Sequence, residues 1–388
     1  MADPQLLSPL TLRATTLRNR MVVSPMCMYS SCDGFAADWH IAHLGSFALG
    51  GHGAVFTEAT AVEPGGRISH GDLGIWSDDH VAPLKRVAEL IGSLGSVAGI
   101  QLGHAGRKAS TQKPWEGFGP LGDADAARGQ APWQVDGPSP AAAGPDYPVP
   151  SELSAEGLER ILVAFSRAAR RATDAGFRAI DIHGGHGYLL QSFLSPISNT
   201  RADAYGGDLE GRMRFPLEVA AAVRAAFRDD SPVFYRISAV DGMDGGWEIE
   251  DSIIFADRLK RLGIDVIDCS SGGVVTQPPA VRRDAARAIP RGLGFQVGYA
   301  DEIRRGVGIA TMAVGLIVDA VQAEEIIASG RADLVALGRE ALNDPAFPRH
   351  AAYRLADDAR KFAFTPDNYR WWLERRERNL AKLRAAGA

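Results

Sequence analysis

The chain has 388 residues, of which 46% are hydrophobic and 23% are charged, and its net charge is −5. This composition is typical of a globular protein, and the acidic balance excludes the broad basic surface that nucleic acids or anionic membranes require. The three cysteines form no metal-binding pair, there is no signal-peptide pattern and no apolar run reaches about 20 residues, so we expect a cytoplasmic protein without a membrane span.

Short apolar runs alternate with helix-like stretches along most of the chain. The predicted strands cover residues 20–24, 53–58, 97–101, 179–182, 232–238, 265–270, 309–314 and 333–337. The predicted helices cover residues 39–49, 80–94, 155–175, 212–227, 251–262, 299–305 and 320–328, with a last one beginning at Arg339. Eight strictly alternating units imply parallel strands joined by right-handed crossovers, and they favour a single closed (β/α)8 TIM barrel. An open doubly wound sheet is less favoured because no GxGxxG loop follows an early strand.

Two segments fall outside this alternation. Residues 105–150, the long loop after the third strand, lack periodicity and are rich in proline, glycine and tryptophan. Such a loop is usually a lid or a binding excursion, although a decorative insertion is the alternative. Residues 364–388 form an aromatic and basic C-terminal tail, whose exposed aromatic side chains predict a contact between subunits. We expect residues 1–388 to form one domain.

The fourth predicted strand ends in a dense group of polar side chains. His183, His186 and Tyr188 follow the apolar run 179–182 through a glycine-rich loop, at the strand end where parallel barrels carry their chemistry. The histidines fit three roles: metal ligands, a structural pair, or hydrogen-bond donors to a carbonyl or phenolate oxygen. No acidic or thiolate cluster accompanies them, so we expect no metal and favour the donor pair. Tyr188 is then placed to donate a proton.

Other strand ends carry groups suited to a flavin ring. Arg236 lies inside an apolar strand, where a guanidinium needs an anionic or electron-rich partner such as the N1–C2=O edge of a flavin. Gln101 offers both a donor and an acceptor for the pyrimidine edge of that ring. Cys27 is either a small buried hydrophobic side chain or, beside a redox cofactor, a weak S–H donor that tunes its potential.

Glycines follow both the seventh and the eighth predicted strands. In barrels of this type, glycines at these two places form a phosphate site with the N-terminus of the helix that follows. Gly315 and Gly338 occupy those places, and Arg339 adds a positive charge. The alternative is that Gly338 only permits a tight turn. Because Gly315 lies in the matching position, the pattern favours a phosphate group.

Five motifs in this order closely resemble the Old Yellow Enzyme family of NADH:flavin oxidoreductases and ene-reductases. They are Ser24-Pro-Met-Cys-Met-Tyr29, Gln101 with His104-Ala-Gly-Arg-Lys108, His183-x-x-His186-Gly-Tyr188, Ser195-Pro-x-Ser-Asn-x-Arg201 with Tyr205-Gly-Gly, and Gly338-Arg339. The resemblance extends from about Leu6 to Pro348. Cys27 occupies a position where other branches carry threonine. In this respect the chain resembles the thermophilic-like branch that includes xenobiotic reductases.

The resemblance implies an FMN-containing barrel that takes hydride from NADPH or NADH. The hydride would pass to the β-carbon of an activated alkene, an α,β-unsaturated carbonyl or nitro compound. His183 and His186 would bind the substrate oxygen, Tyr188 would protonate the α-carbon, and Tyr29 would also touch the substrate. The residues expected to hold FMN are Ser24, Pro25, Met26, Cys27, Ala61, Gln101, Arg236, Gly315, Gly338 and Arg339.

The resemblance also implies a homodimer or homotetramer in which the tail reaches a neighbouring active site. Arg370 or Trp371 is the expected tail residue in that site. The chain departs from the family pattern in the 105–150 loop and in the tail after Pro366, which both bear on substrate choice. It also departs at Gly184 and Gly185, where relatives often carry bulkier side chains.

Three other functions compete with this interpretation. A flavin-free barrel isomerase or lyase acting on a phosphorylated substrate would leave Arg236 and Gln101 unexplained. A larger iron–sulfur flavoprotein, such as a dienoyl-CoA reductase, is not expected, because only three scattered cysteines are present and 40 residues follow Pro348. A flavin reductase with a quinone or oxygen as its acceptor would use the same pocket, so that alternative stays open.

Overall fold

A computed structural model describes residues 3–276 and 289–385 of the chain. The strands, in chain order, are β1 (Leu10–Leu12), β2 (Thr15–Leu17), β3 (Met21–Val23), β4 (Ala54–Ala61), β5 (Val97–Gly103), β6 (Asp136–Gly137), β7 (Ser151–Glu152), β8 (Ala179–Gly184), β9 (Val233–Ser238), β10 (Val266–Ser270), β11 (Ala310–Ala313) and β12 (Leu334–Leu337). Eight of them, β3, β4, β5 and β8 to β12, form a closed barrel in which every neighbouring pair is parallel. The predicted (β/α)8 barrel is confirmed.

Helices follow the barrel strands as predicted. They are α1 (Asp38–Leu49), α2 (Val81–Ser93), α3 (Asp123–Ala126), α4 (Ala155–Asp174), α5 (Leu189–Leu194), α6 (Leu209–Ala226), α7 (Ile249–Arg261), α8 (Val297–Val307), α9 (Ala320–Ala328), α10 (Arg339–Asn343), α11 (Phe347–Leu355) and α12 (Asp367–Ala385). Among the described residues, no helix is both long enough and apolar enough to cross a membrane.

Strand alternation divides the core into two layers. Successive side chains of a strand point to opposite faces, so Ile180 and Ile182 of β8 pack outward against the helices while Ala179 lies in the barrel interior. The interior is apolar at the amino end of the barrel, where Phe56 and Phe234 meet edge to face at 5.3 Å. Polar side chains occupy the next inward positions, toward the carboxyl ends of the strands. The alternation of side chains therefore places the polar residues toward the carboxyl end of the barrel, next to an apolar interior at its amino end.

The antiparallel pair β1–β2 closes the amino end of the barrel. Leu10 is in register with Leu17, and Leu17 packs among inward-facing side chains of the barrel strands. Burial of Leu17 extends the apolar interior and keeps water out of the amino end of the barrel. The pair was not predicted, because threonines interrupt both strands and neither forms a continuous apolar run.

The loop of residues 105–150 contains only short elements, in agreement with its lack of periodicity. It is nevertheless anchored to the barrel by Arg107, which is buried. The Arg107 guanidinium donates hydrogen bonds to the carbonyl oxygens of Ala141 and Ala142, at 3.0 and 3.1 Å, and to that of Val274. A buried guanidinium without these acceptors would be costly, so Arg107 ties two parts of the loop together and links them to the segment after β10.

Candidate active site

Strand register brings the predicted polar residues together at one end of the barrel. Gln101 of β5 pairs with Asp181 of β8, His183 of β8 pairs with Arg236 of β9, and Arg236 pairs with Asp268 of β10. All five side chains are buried. Since each lies at an inward position of its strand, the alternation of side chains alone is enough to make them converge.

Gln101 is held in one orientation by the barrel interior. Its Nε2 donates a hydrogen bond of 2.7 Å to Oδ2 of Asp181. An amide whose nitrogen is engaged in this way presents its oxygen as the remaining acceptor. Gln101 therefore offers a carbonyl oxygen, the group that would accept from the N–H of a pyrimidine ring.

Arg236 lies between a carboxylate and a hydroxyl. Its Nη1 donates to Oγ of Ser24 at 3.1 Å, and its Nε lies 3.4 Å from Oδ2 of Asp268. Burial raises the pKa of Asp268, while the Arg236 charge opposes that rise. Burial and then the Asp268 charge raise the pKa of Asp181 well above its usual range. One guanidinium thus faces two carboxyl groups that do not both ionise readily.

The side chains of His183, His186 and Tyr188 gather at the end of β8. The ring centroid of His183 lies 5.1 Å from that of His186 and 5.0 Å from that of Tyr188. Burial lowers the pKa of both histidines well below the usual value, and the positive charges of Arg236 and Lys108 lower it further. Both imidazoles are therefore neutral near pH 7, so each has one N–H donor.

The contacts of each imidazole decide which nitrogen remains for a ligand. His183 Nδ1 accepts a hydrogen bond of 3.4 Å from the Gly185 backbone, which leaves the proton on Nε2. His186 Nε2 lies 2.6 Å from Oγ of Ser270. His186 Nδ1 has no hydrogen bond within the residues that the structure describes. The two nitrogens available to a ligand are thus Nε2 of His183 and Nδ1 of His186.

Tyr188 lies in a small apolar cluster with Cys27 and Tyr29. Burial raises the pKa of the Tyr188 phenol well above 10, and it likewise raises the pKa of the Cys27 thiol. Both groups therefore keep their protons at neutral pH. The Lys108 ammonium lies 5.2 Å from the centre of the Tyr188 ring. The phenol is thus a neutral acid beside two neutral donors.

The segment that carries Cys27 and Tyr29 is held by a buried carboxyl group. Glu58 Oε2 accepts hydrogen bonds from the backbone N–H groups of Met28 and Tyr29, at 3.1 and 3.4 Å, and its Oε1 lies 3.3 Å from Nε2 of His40. Tyr29 has a φ of 54°, in the left-handed region that is unfavourable for a tyrosine. The Glu58 contacts stabilise this conformation.

All the predicted cofactor residues lie near the carboxyl ends of barrel strands. They are Ser24, Pro25, Met26 and Cys27 after β3, Ala61 at the end of β4, Gln101 in β5, Arg236 in β9, Gly315 after β11, and Gly338 and Arg339 after β12. A cavity of about 460 Å³ connects several of them, since its lining includes Arg236, Gly315, Gly338, Arg339 and His186.

The lining of this cavity fits a phosphate-bearing flavin. The buried Nε of Arg236 lies 3.4 Å from Asp268 Oδ2 but has no hydrogen bond within the described residues, so its N–H remains open to a ligand. Gly315 has a φ of 120°, and a Cβ there would lie 3.0 Å from the Phe295 ring. Only glycine is comfortable at such a position. Arg291 and Arg339 add two guanidinium groups to the same wall. These residues therefore fit FMN.

The predicted tail residues do not meet this site within one chain. Arg370 pairs with Glu374 at 2.7 Å, one turn along α12. Trp371 contacts Trp372 edge to face, and the Arg375 guanidinium lies 5.4 Å from its ring centre. These contacts all lie within α12, so the assignment of Arg370 or Trp371 to a neighbouring subunit stays a prediction.

A separate cluster of acidic and histidine side chains could in principle bind a metal, but an arginine already pairs with its carboxylates. Glu63, His104 and Asp136 approach one another closely. Arg160 donates to both Glu63 oxygens at 2.5 and 2.6 Å, and to Asp136 Oδ2 at 2.7 Å. This guanidinium supplies the positive charge that a cation would bring, so the cluster is an ion-pair network.

Sequence reasoning missed several residues that shape the site. Asp181, Asp268 and Ser270 share the inward face with Ala179 and His183, so counting alternate positions along each strand would have found them. Glu58 was noted only as the end of a strand. Gln296 was missed because it lies in the loop before α8, where no period exists.

Comparison with known proteins places these features in a family. The profile of the NADH:flavin oxidoreductase / NADH oxidase family matches residues 5–358. An NADPH dehydrogenase from Listeria innocua is 44% identical over 355 residues, which cover 91% of this chain and 96% of that protein. An NADPH dehydrogenase from Bacillus subtilis is 44% identical over 353 residues, which cover 90% of this chain and 95% of that protein.

Solved structures share the barrel. Morphinone reductase superimposes with a TM-score of 0.72 at 25% identity, covering 93% of each chain. An old yellow enzyme homologue from Zymomonas mobilis has a TM-score of 0.72 at 24% identity, covering 89% of this chain and 92% of that one. The family match removes the flavin-free alternative. The chain therefore belongs to the Old Yellow Enzyme family of NADH:flavin oxidoreductases, and it is an FMN-containing oxidoreductase that uses NADPH or NADH as its reductant.

Proposed function

We propose that this enzyme is an ene-reductase acting on α,β-unsaturated carbonyl or nitro compounds. The observation that carries the proposal is the group at the end of β8, which comprises two neutral imidazoles and a protonated phenol. The distances between their ring centroids are 5.0 to 6.5 Å. FMN, when bound, would supply the hydride chemistry between NAD(P)H and the β-carbon of the acceptor. The protein must then stabilise the charge on the acceptor oxygen and protonate its α-carbon.

His183 and His186 are proposed to bind the acceptor oxygen. Hydride addition at the β-carbon drives negative charge onto that oxygen, and N–H donors fixed in advance stabilise it with little reorganisation. Neutral imidazoles suit this role because their pKa is lowered and their remaining nitrogens are unoccupied. Both donors thus act on the charge that develops as the reaction proceeds.

Tyr188 is proposed to be the proton donor to the α-carbon. Its phenol keeps its proton at neutral pH because burial raises its pKa. The Lys108 ammonium near the ring favours the phenolate once the proton has left. Tyr29 is proposed to contact the substrate from the opposite loop, where its ring meets Trp115 edge to face at 5.9 Å.

The proposed FMN ligands divide between the two ends of the cofactor. Gln101 and Arg236 suit the pyrimidine edge, because Gln101 presents an amide oxygen and Arg236 has a guanidinium N–H without a hydrogen bond within the described residues. Gly315, Gly338 and Arg339 suit the phosphate. The remaining proposed contacts are Ser24, Pro25, Met26, Cys27 and Ala61. Cys27 is proposed to tune the flavin potential as a neutral S–H donor, since its pKa is raised.

We also propose a cytoplasmic homodimer or homotetramer. The support is α12, which has no buried residue and exposes Trp371 and Trp372. Exposed aromatic side chains of this kind are common at protein interfaces. In such an assembly Arg370 or Trp371 would enter the site of a neighbouring subunit, and the 105–150 loop would act as a lid.

Isotope labelling of the product tests the ene-reductase proposal. The enzyme is supplied with 2-cyclohexenone and NADPH that carries deuterium at its transferable position, without oxygen, and the product is analysed by mass spectrometry and NMR. Deuterium at the β-carbon is expected, whereas unlabelled NADPH in D2O is expected to place deuterium at the α-carbon. NADPH oxidation that consumes oxygen or a quinone while the enone stays unreduced would favour the flavin reductase alternative.

A further inference from the structure

Two serine hydroxyls hold His186, one through its backbone and one through its ring. Its backbone N–H donates to Oγ of Ser238 at 2.9 Å, and its backbone has a φ of 60°. Its ring nitrogen Nε2 lies 2.6 Å from Oγ of Ser270, at the end of β10. The ring therefore has a fixed position, and one question remains: which of its two nitrogens carries the proton.

The amide of Gln296 limits the choices open to the Ser270 hydroxyl. Gln296 Nε2 donates to the backbone oxygen of Val314 at 3.2 Å, which turns its Oε1 toward two serines. Ser271 donates its hydroxyl proton to that oxygen at 2.7 Å. Ser270 Oγ lies 3.4 Å from the same oxygen, beyond the usual length of an O–H···O hydrogen bond.

The proton of Ser270 consequently goes to His186. The 2.6 Å contact with Nε2 is far shorter than the 3.4 Å contact with Gln296, whose oxygen is already satisfied by Ser271. A hydroxyl has one proton to donate. When it donates to Nε2, that nitrogen is the acceptor, so the neutral imidazole carries its proton on Nδ1.

We propose that Ser270 is a positioning residue that holds His186 in the Nδ1–H tautomer, so that this N–H donates to the acceptor oxygen. The inference rests on the proposed ene-reductase function and deepens it. In the other tautomer, a lone pair on Nδ1 would face the negative oxygen and repel it. His183 is arranged differently, since its Nδ1 faces the Gly185 backbone N–H at 3.4 Å, which favours the proton on Nε2. The two histidines are thus set by different means.

Nitrogen NMR of the FMN-loaded protein, labelled with 15N-histidine and free of acceptor, tests the tautomer directly. The wild type is expected to show a protonated Nδ1 and an unprotonated Nε2 at His186. Ser270→Ala is expected to shift His186 toward the Nε2–H form, and Ser270→Thr, which keeps the hydroxyl, is expected to restore the wild-type pattern. Ser93→Ala, which removes an exposed hydroxyl at the end of α2, is the control and is expected to leave the tautomer unchanged. An unchanged His186 spectrum in Ser270→Ala would overturn the proposal.

Binding of 4-hydroxybenzaldehyde, measured by calorimetry, provides the second readout. Ser270→Ala is expected to weaken the binding of this phenol about tenfold, which corresponds to the loss of one hydrogen bond. The loss should disappear in a His186→Asn background, because an asparagine amide offers an N–H near the Nδ1 position whatever Ser270 does. An equal loss in that background would show that Ser270 acts elsewhere. Failure of the ene-reductase proposal would appear separately, as wild-type protein that does not reduce an enone while its His186 tautomer is as expected.

Discussion

The carboxyl end of the barrel and the C-terminal helix α12 are both rich in residues predicted to act in the site, yet they differ in burial. Gln101, His183 and Arg236 are 2%, 5% and 6% exposed, and each has a partner from another strand. In α12 no residue is buried, and Trp371 and Trp372 are 53% and 66% exposed. The first region is defined by strand register inside one chain. Helix α12 buries no side chain against its own chain, and its proposed role therefore requires another copy of the protein.

The largest effect is expected from removal of the guanidinium in the barrel interior. Arg236→Met leaves Asp181 and Asp268 without their positive charge, and breaking a buried pair costs about 3–5 kcal/mol. We expect the variant to lose FMN during purification and to unfold at lower urea concentration. The flavin-to-protein ratio and urea unfolding measure these changes. Arg236→Lys, which keeps the charge, is the control. A Met variant with a full complement of FMN would show that the barrel interior does not depend on this charge.

The next effect concerns proton donation. Tyr188→Phe is expected to slow acceptor reduction by about 10²- to 10⁴-fold, because general acid catalysis contributes that much. Oxidation of NADPH in the first half-reaction should change little, since no proton from Tyr188 is needed there. Stopped-flow absorbance separates the two half-reactions, with Tyr299→Phe, which removes a phenol hydroxyl on α8, as the control. Equal slowing of both half-reactions would remove Tyr188 from this role.

A somewhat smaller loss is expected at the oxygen-binding pair. His183→Ala should reduce kcat/KM for an enone by about 10²- to 10³-fold, the usual cost of losing one fixed donor to a developing charge. FMN should stay bound, because His183 is not among the proposed cofactor contacts. Steady-state kinetics and flavin content provide the measurement. His350→Ala, which removes an exposed histidine paired with Asp344, is the control. Unchanged enone turnover would contradict the oxygen-binding role.

The smallest effect on the isolated chain is expected from the tail. Deleting residues from Asn368 onward removes almost all of α12, which has no buried residue and contacts the rest of the chain through surface groups such as Tyr353 and Glu377, so the barrel core is expected to stay intact. Assembly and the KM for the acceptor are expected to change instead. Light scattering, urea unfolding and kinetics give the comparison, and Trp371→Ala with Trp372→Ala tests whether the aromatic side chains suffice. A truncated monomer with full activity would show that the tail has no part in the site.

The barrel was readable from the sequence because its strands form short apolar runs, typical of parallel strands buried on both faces, and these runs alternate with helix-like stretches. The predicted strand 232–238 became β9, Val233–Ser238, and the predicted helix 320–328 became α9 at the same bounds. Elements without a period were missed. All six residues of α5 are buried, so no amphipathic pattern marks that helix. The predicted strand 53–58 stopped short, since β4 continues to Ala61.

The site was only half readable, for a physical reason. Motifs with unusual side chains, such as His183 and His186, stand out along the chain. Their partners do not, because a serine such as Ser270 gains meaning only through the register that places it 2.6 Å from His186. Gln296 is more remote still, since it acts through the serines. Contacts between distant strands and loops therefore supplied what the linear pattern lacked.

The most direct test of the account is the visible absorption spectrum of the purified protein under anaerobic conditions, recorded before and after NADPH and again after 2-cyclohexenone. We expect flavin bands that bleach with NADPH and return with the enone, which would establish the reductant and the acceptor class in one experiment. Bands that bleach but do not return with the enone, and recover only with a quinone or oxygen, would contradict the ene-reductase proposal.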